Sequence, residues 1–144
     1  PEHEWPRHRG HEAAGVPVVE ALCERLRVPG ECRSLALVVT RYHLECHRIE
    51  SLRPATVLRM LEALDAFRRA ERIDDFLLAG EADFRGRLGL EDRPYPQADY
   101  LRKALACCQQ IKAEPFIARG LSGAAIGEAI NKARLQSLKA LRAE

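Results

Sequence analysis

Apolar residues recur at steps of three and four almost throughout this chain, and no run alternates at a period of two. That spacing is the signature of helices burying one face, so the sequence predicts an all-α protein. From Gly10 to Arg27, Ala14, Val18, Val19, Leu22, Cys23 and Leu26 share a face, with Pro17 tolerable near the first turn or as a kink. Pro29-Gly30 breaks the chain, and a second helix over Glu31 to Cys46 gathers Leu35, Val38, Val39 and Tyr42. Stepping by four from Leu35 through Val39 lands on His43, which therefore faces inward.

A third helix should open at Pro54, bury Val57, Leu61 and Leu64, and run to Arg69. A fourth covers Glu71 to Ala82. Gly86, Gly89, Pro94 and Pro96 then mark a long irregular stretch. Beyond it, Gln97 to Lys112 reads as helix, Pro115 to Gly120 as a short turn, and Ser122 as the cap of a last helix carrying Lys132, Arg134, Lys139 and Arg142.

Composition excludes several classes. The 144 residues carry 23 Lys plus Arg against 21 Asp plus Glu, a net charge of +2 that gives no global field for nucleic acid or a membrane surface. Any basic site is therefore local. No apolar run suffices to span a bilayer, the first residues are polar where a signal peptide would be apolar, and a cytoplasmic location is the expectation. Five cysteines without a C-x-x-C favour reduced, mostly buried thiols over a disulfide framework or a cysteine zinc site.

Four of five histidines fall in two clusters, H-R-G-H at His8 and His11 and H-L-E-C-H at His43 and His47, so metal binding is a candidate chemistry. The second cluster is not a zincin helix, which needs Glu directly after the first His; here Leu44 holds that place. The competing reading makes His43 a core residue with a satisfied hydrogen bond. His3 and His47 read as exposed. Cys46 beside His47 suggests a thiolate pair, but adjacent helical residues diverge by about 100° and a buried structural thiol is commoner. Phosphate-cradling and nucleophile-elbow motifs are absent. Asp83, Arg85 and Arg87 in E-A-D-F-R-G-R form a charged knot in a presumed loop, either solvated or able to bond a phosphate in two places. Lys132 and Arg134 offer a second basic surface for RNA, although the helix dipole also favours cations there.

Three segments together, EWPRHRGHEAAGVPVVEALCERLRVP, RYHLECH and EADFRGRLGLEDRPYPQADYLRKAL, resemble the C-terminal half of bacterial CCA-adding tRNA nucleotidyltransferases, and GLSGAAIGEAINKARLQSLKAL is similar to the closing helix of that family. The resemblance implies an HD-type phosphohydrolase domain, its remainder over residues 1–70, followed by a C-terminal helical tail over 71–144. For the whole protein it implies addition or repair of the tRNA 3′-terminal CCA from CTP and ATP, with Mg²⁺ in a nucleotidyltransferase head that has no counterpart here. The HD region implies 2′,3′-cyclic phosphodiesterase, 2′-nucleotidase and phosphatase activities at a divalent ion, with Ni, Mg or Mn as candidates. The match puts His11 and His43 in catalytic and metal-holding positions, with His8 a third metal ligand. Arg85, Arg87, Lys132 and Arg134 are the expected RNA or phosphate contacts. The His-Asp pair at the heart of such a site is expected upstream of this chain, so the HD bundle should be incomplete at its N-terminus and the chain alone nearly inactive. tRNA is the expected partner, a homodimer is compatible with this reading, and no membrane partner is expected. The alternative is a non-catalytic helical module that binds RNA or protein.

Overall fold

The structure is a computed structural model and describes residues 10–143. Among them are six α-helices of ten or more residues, two shorter helical turns and no strand, in agreement with the all-α reading. The long helices are α1 (His11–Arg25), α2 (Gly30–His47), α3 (Pro54–Ala63), α4 (Arg72–Arg85) and α5 (Gln97–Gln109). A single turn, α6 (Glu114–Ile117), precedes the last helix, α7 (Ala124–Leu141), and a 3₁₀ turn at Ile49–Ser51 links α2 to α3.

One apolar cluster holds α2, α3, α4, α5 and α7 together, with Cys46, Ile49, Met60, Leu61, Phe76, Leu101 and Leu138 all essentially excluded from water. The cluster draws on residues from both sides of residue 70. By contrast, α1 buries only Cys23 and pairs chiefly with α2, leaving Val18 and Leu26 more than half exposed.

Two helices end earlier than periodicity suggests, by the same device. At the end of α3, Asp65 takes the left-handed conformation (φ 55°), its N–H donates to the Glu62 carbonyl and the Ala66 N–H donates to the Leu61 carbonyl. This is a Schellman stop in which Asp replaces the usual Gly, with Ala66 fully buried at the position that packs back. The expected continuation of α3 to Arg69 is thus corrected. At the end of α1, Arg27 (φ 51°) does the same, with N–H bonds from Arg27 to Glu24 and from Val28 to Cys23.

Two further expectations change. Helix α4 runs to Arg85 instead of Ala82, so Asp83 and Arg85 lie on a helix and not in a loop. Carboxylate–guanidinium pairs one turn apart, Glu81–Arg85 at 2.7 Å and Asp83–Arg87 at 2.8 Å, support the extra turn. Ser122 does not cap α7: the cap residue is Gly123, at φ 55° and ψ −132°, and no side chain bonds there. Gly123 reaches this backbone shape without a Cβ penalty, and the Ser122 and Gly123 carbonyls take the Ala125 and Ile126 N–H groups.

Candidate functional site

The site grows from the pairing of α1 with α2. Gly15 stands where a Cβ would lie 3.0 Å from Thr40 Cγ2, closer than side chains normally approach. The Thr40 hydroxyl donates to the Ala36 carbonyl (2.8 Å), which fixes the threonine rotamer and turns its methyl to that gap. The missing side chain at Gly15 therefore sets how close the two helices come. His11 lies one turn before Gly15 and His43 one turn after Thr40, so the close approach carries both rings to the same place.

There the two Nε2 atoms stand 3.1 Å apart, with ring centroids at 5.2 Å. Nδ1 of His43 lies 3.1 Å from the carbonyl oxygens of both Val39 and Thr40. Carbonyl oxygens only accept, so His43 carries its proton on Nδ1 and turns a lone pair on Nε2 toward His11. His11 Nε2–H donates into that lone pair. Two imidazole nitrogens bound to one ion at about 2.0–2.1 Å, with an angle of about 90–110°, stand about 2.8–3.4 Å apart, so the observed spacing of 3.1 Å fits a shared metal. The pair supplies two ligands: no group of three or more His, Cys, Asp or Glu side chains able to hold a metal is found among the described residues. His8 lies outside the described residues.

One turn beyond His43 comes His47, whose side chain is 11% exposed. Its expected exposure is corrected, because α4 and the segment before α5 cover it. Its ring stands edge-on to His43 at 6.1 Å and contacts Phe84 and Tyr95. Its Nε2 is 2.7 Å from Asp83 Oδ2 and its Nδ1 3.0 Å from the Tyr95 hydroxyl. Burial pushes the His47 pKa down, against the upward pull of Asp83. Burial pushes Asp83 up, but hydrogen bonds from His47 and Arg87 outweigh it and hold the carboxyl below its usual range. The pair at neutral pH is thus a neutral imidazole donating Nε2–H to a carboxylate, with the Tyr95 hydroxyl beside its other nitrogen. Tyr95 is kept protonated by burial, and its hydroxyl also reaches Cys46 Sγ at 3.5 Å. Burial raises the Cys46 pKa, so this thiol is structural, as the sequence suggests. Gly80 makes room for Tyr95, since a Cβ there would lie 3.2 Å from the hydroxyl oxygen.

The candidate phosphate-binding residues divide. Arg87 joins the histidine region through Asp83 Oδ2, which it bonds at 2.8 Å while about half exposed. Arg85 turns to Glu81. Lys132 is exposed on α7, which packs on α3 and α5, whereas the histidines lie along α2 and α1, with α2 packed on α1 and on α4. Arg134 is half-buried with its guanidinium 3.6 Å from the Phe67 ring centroid, a stacking role in the fold. Tyr95 and Gly80 are site residues that the sequence reading passed over, and His47 is one that it read as exposed. The His43–His47 spacing of four was the available signal, since it sets both rings on one helix face.

The described residues contain no helix long and apolar enough to cross a membrane. No family model matches the chain, and neither does any solved structure. Curated relatives do match. The chain is 56% identical over 142 residues to the multifunctional CCA protein of Alkalilimnicola ehrlichii, 58% over 139 residues to that of Thioalkalivibrio sulfidiphilus, and 48% over 143 residues to that of Pseudomonas aeruginosa. These matches take in 96–99% of the chain and 34–35% of each relative, so the chain spans about a third of the length of the proteins it matches.

Proposed function

We propose that this chain, which matches multifunctional CCA proteins over about a third of their length, is the HD-type phosphohydrolase remainder and helical tail of a CCA-adding tRNA nucleotidyltransferase. In this reading residues 1–70 belong to the HD domain and 71–144 to the tail. The whole protein adds or repairs the tRNA 3′ end with CTP and ATP, using Mg²⁺ in its nucleotidyltransferase head, and acts in the cytoplasm. The HD region hydrolyses phosphoesters of the 2′,3′-cyclic and 2′-phosphate class.

The approach of His11 and His43 to 3.1 Å, with His43 Nδ1 anchored on the main chain, is the observation that carries the proposal. Two residues 32 positions apart converge with a nitrogen lone pair presented between them, which a core histidine does not require. A divalent ion, if bound, would be held by His11 and His43 and would supply Lewis acidity for phosphoester hydrolysis. Imidazole donors favour Ni²⁺ over Mg²⁺ and Mn²⁺, which prefer oxygen ligands. His43 holds its ring by the Val39 and Thr40 carbonyls, so its orientation costs little on ligand binding. Arg87 stands where α4 ends and is the cation nearest in the hydrogen-bonded chain to take a phosphate oxygen. Arg85 and the exposed Lys132 are assigned to the tRNA body, while Arg134 keeps its stacking role on Phe67.

Hydrolysis of 2′,3′-cyclic AMP by the full-length protein tests this. His11→Ala and His43→Ala should each lower the rate at least about 100-fold while CCA addition continues. Hydrolysis surviving both changes would leave a non-catalytic RNA- or protein-binding module as the better reading.

A further inference from the structure

Asp83 occupies an unusual place in this arrangement. A single oxygen, Oδ2, lies 2.7 Å from His47 Nε2 and accepts the Arg87 guanidinium at 2.8 Å. These partners come from two elements: His47 ends α2, one turn past His43, and Arg87 follows the last turn of α4. The His47 side is buried and the Arg87 side open, with side-chain exposures of 11% and 49%. One carboxylate thus fastens the inner histidine row to the outer cation.

We propose that Asp83 is a positioning residue of the candidate phosphohydrolase site: it fixes the His47 ring against His43 and aims Arg87 at a phosphate presented to the His11–His43 pair. The assignment rests on the phosphohydrolase reading above for its substrate class, a phosphodiester or phosphomonoester of a nucleotide. Three features support it. His47 has a partner at each ring nitrogen, Asp83 and Tyr95, so its orientation is over-determined in a way a packing residue does not need. The His47 ring lies edge-on to His43, so a turn of one ring moves the surface against which the other rests. Arg87 has Asp83 as its hydrogen-bonded partner, and a single carboxylate oxygen leaves the rest of its five-donor fork to face a phosphate.

The mechanism then divides the labour. Asp83 never touches the reacting phosphorus. It holds the Nε2–H tautomer of His47 by accepting that proton's hydrogen bond, and it limits the rotamers of Arg87 before substrate arrives. Removing it affects both inner and outer groups, whereas removing Arg87 affects the outer one alone.

The test uses the full-length protein with 2′,3′-cyclic AMP, together with ¹⁵N spectra of the histidine rings. Asp83→Ala should lower kcat/KM about 10- to 100-fold, the range for partners that orient a metal-site histidine, with both kcat and KM changed. Arg87→Ala should raise KM and leave kcat nearly unchanged. Asp83→Asn, whose amide oxygen still accepts from both partners, should fall between wild type and Asp83→Ala. In the ring spectra His47 should be held as the Nε2–H tautomer in wild type and Arg87→Ala and become a tautomer mixture in Asp83→Ala. Asp83→Ala kinetics matching Arg87→Ala, or an unchanged His47 tautomer, would overturn the proposal. Should the wild-type protein fail to hydrolyse the substrate, the phosphohydrolase reading falls, and the ring spectra still decide whether Asp83 sets His47.

Discussion

Replacing Gly15 by Ala should separate the two histidines without touching either. The new methyl would stand 3.0 Å from Thr40 Cγ2. Carbon atoms pack best at about 3.5–4.0 Å, so α1 must back away from α2 by about 0.5–1 Å. His11 lies one turn from Gly15 on the same face, so its Nε2 follows, opening the 3.1 Å contact to about 3.6–4.1 Å. That distance exceeds both a hydrogen bond and the span of two imidazoles on one ion. In stability, overpacking costs about 1–3 kcal/mol and the helical gain of Ala over Gly returns about 0.5–1 kcal/mol. A net loss of about 1 kcal/mol lowers Tm by about 3–5 °C for a chain of this size. Thermal unfolding and the histidine ring signals on addition of Ni²⁺ are the assays. The control is Gly127→Ala in α7, where nothing lies within 4 Å of the added methyl and Tm should rise. A Gly15→Ala protein that behaves like this control, with its Ni²⁺ response intact, would refute the claim that Gly15 sets the helix spacing.

Other consequences can be checked in the same way. Tyr95→Phe leaves the buried nitrogen of His47 without its hydroxyl and should cost about 1–3 kcal/mol in denaturant unfolding; a neutral change would mean that the hydroxyl is not a needed partner. Arg134→Ala should destabilise by about 0.5–2 kcal/mol through loss of the stack on Phe67, whereas exposed Lys132→Ala should stay within about 0.5 kcal/mol of wild type. Stability should also depend on acid. Burial holds the His47 pKa below its ordinary 6.5, so the folded state binds fewer protons than the unfolded one and the contribution, complete above pH 6.5, is lost as pH falls through the folded value. Asp83, held below its ordinary 3.8 by His47 and Arg87, adds a second loss as pH falls below 3.8. His47→Gln should flatten the first segment of a Tm-against-pH curve, and an unchanged slope between pH 7 and 5 would contradict the assignment.

Periodicity carried most of the fold, since the faces containing Val57, Leu61, Phe76 and Leu101 are the ones buried. It failed at Asp65 and Arg27, because a left-handed stop made by a non-glycine residue leaves no mark in an apolar pattern and depends on what packs behind it. The extra turn of α4 was hidden for the opposite reason. The charges of Glu81, Asp83, Arg85 and Arg87 read as a loop until their spacing of four is taken as a pair of helical ion pairs. At the site, His43 was legible from its face and His11 from the resemblance. The convergence of the two depends on the space at Gly15, which no local rule reports. His47 looked exposed because its cover comes from Asp83 and Tyr95, 36 and 48 residues away.

His11 and His43 are assigned to one site. Titration with Ni²⁺, followed by the ring signals of the individual histidines, addresses this most directly. Both rings should respond together at a single concentration, and His11→Ala should abolish the response of His43, as His43→Ala should that of His11. Separate responses, or a ring that still binds at wild-type affinity after its neighbour is removed, would contradict the shared site.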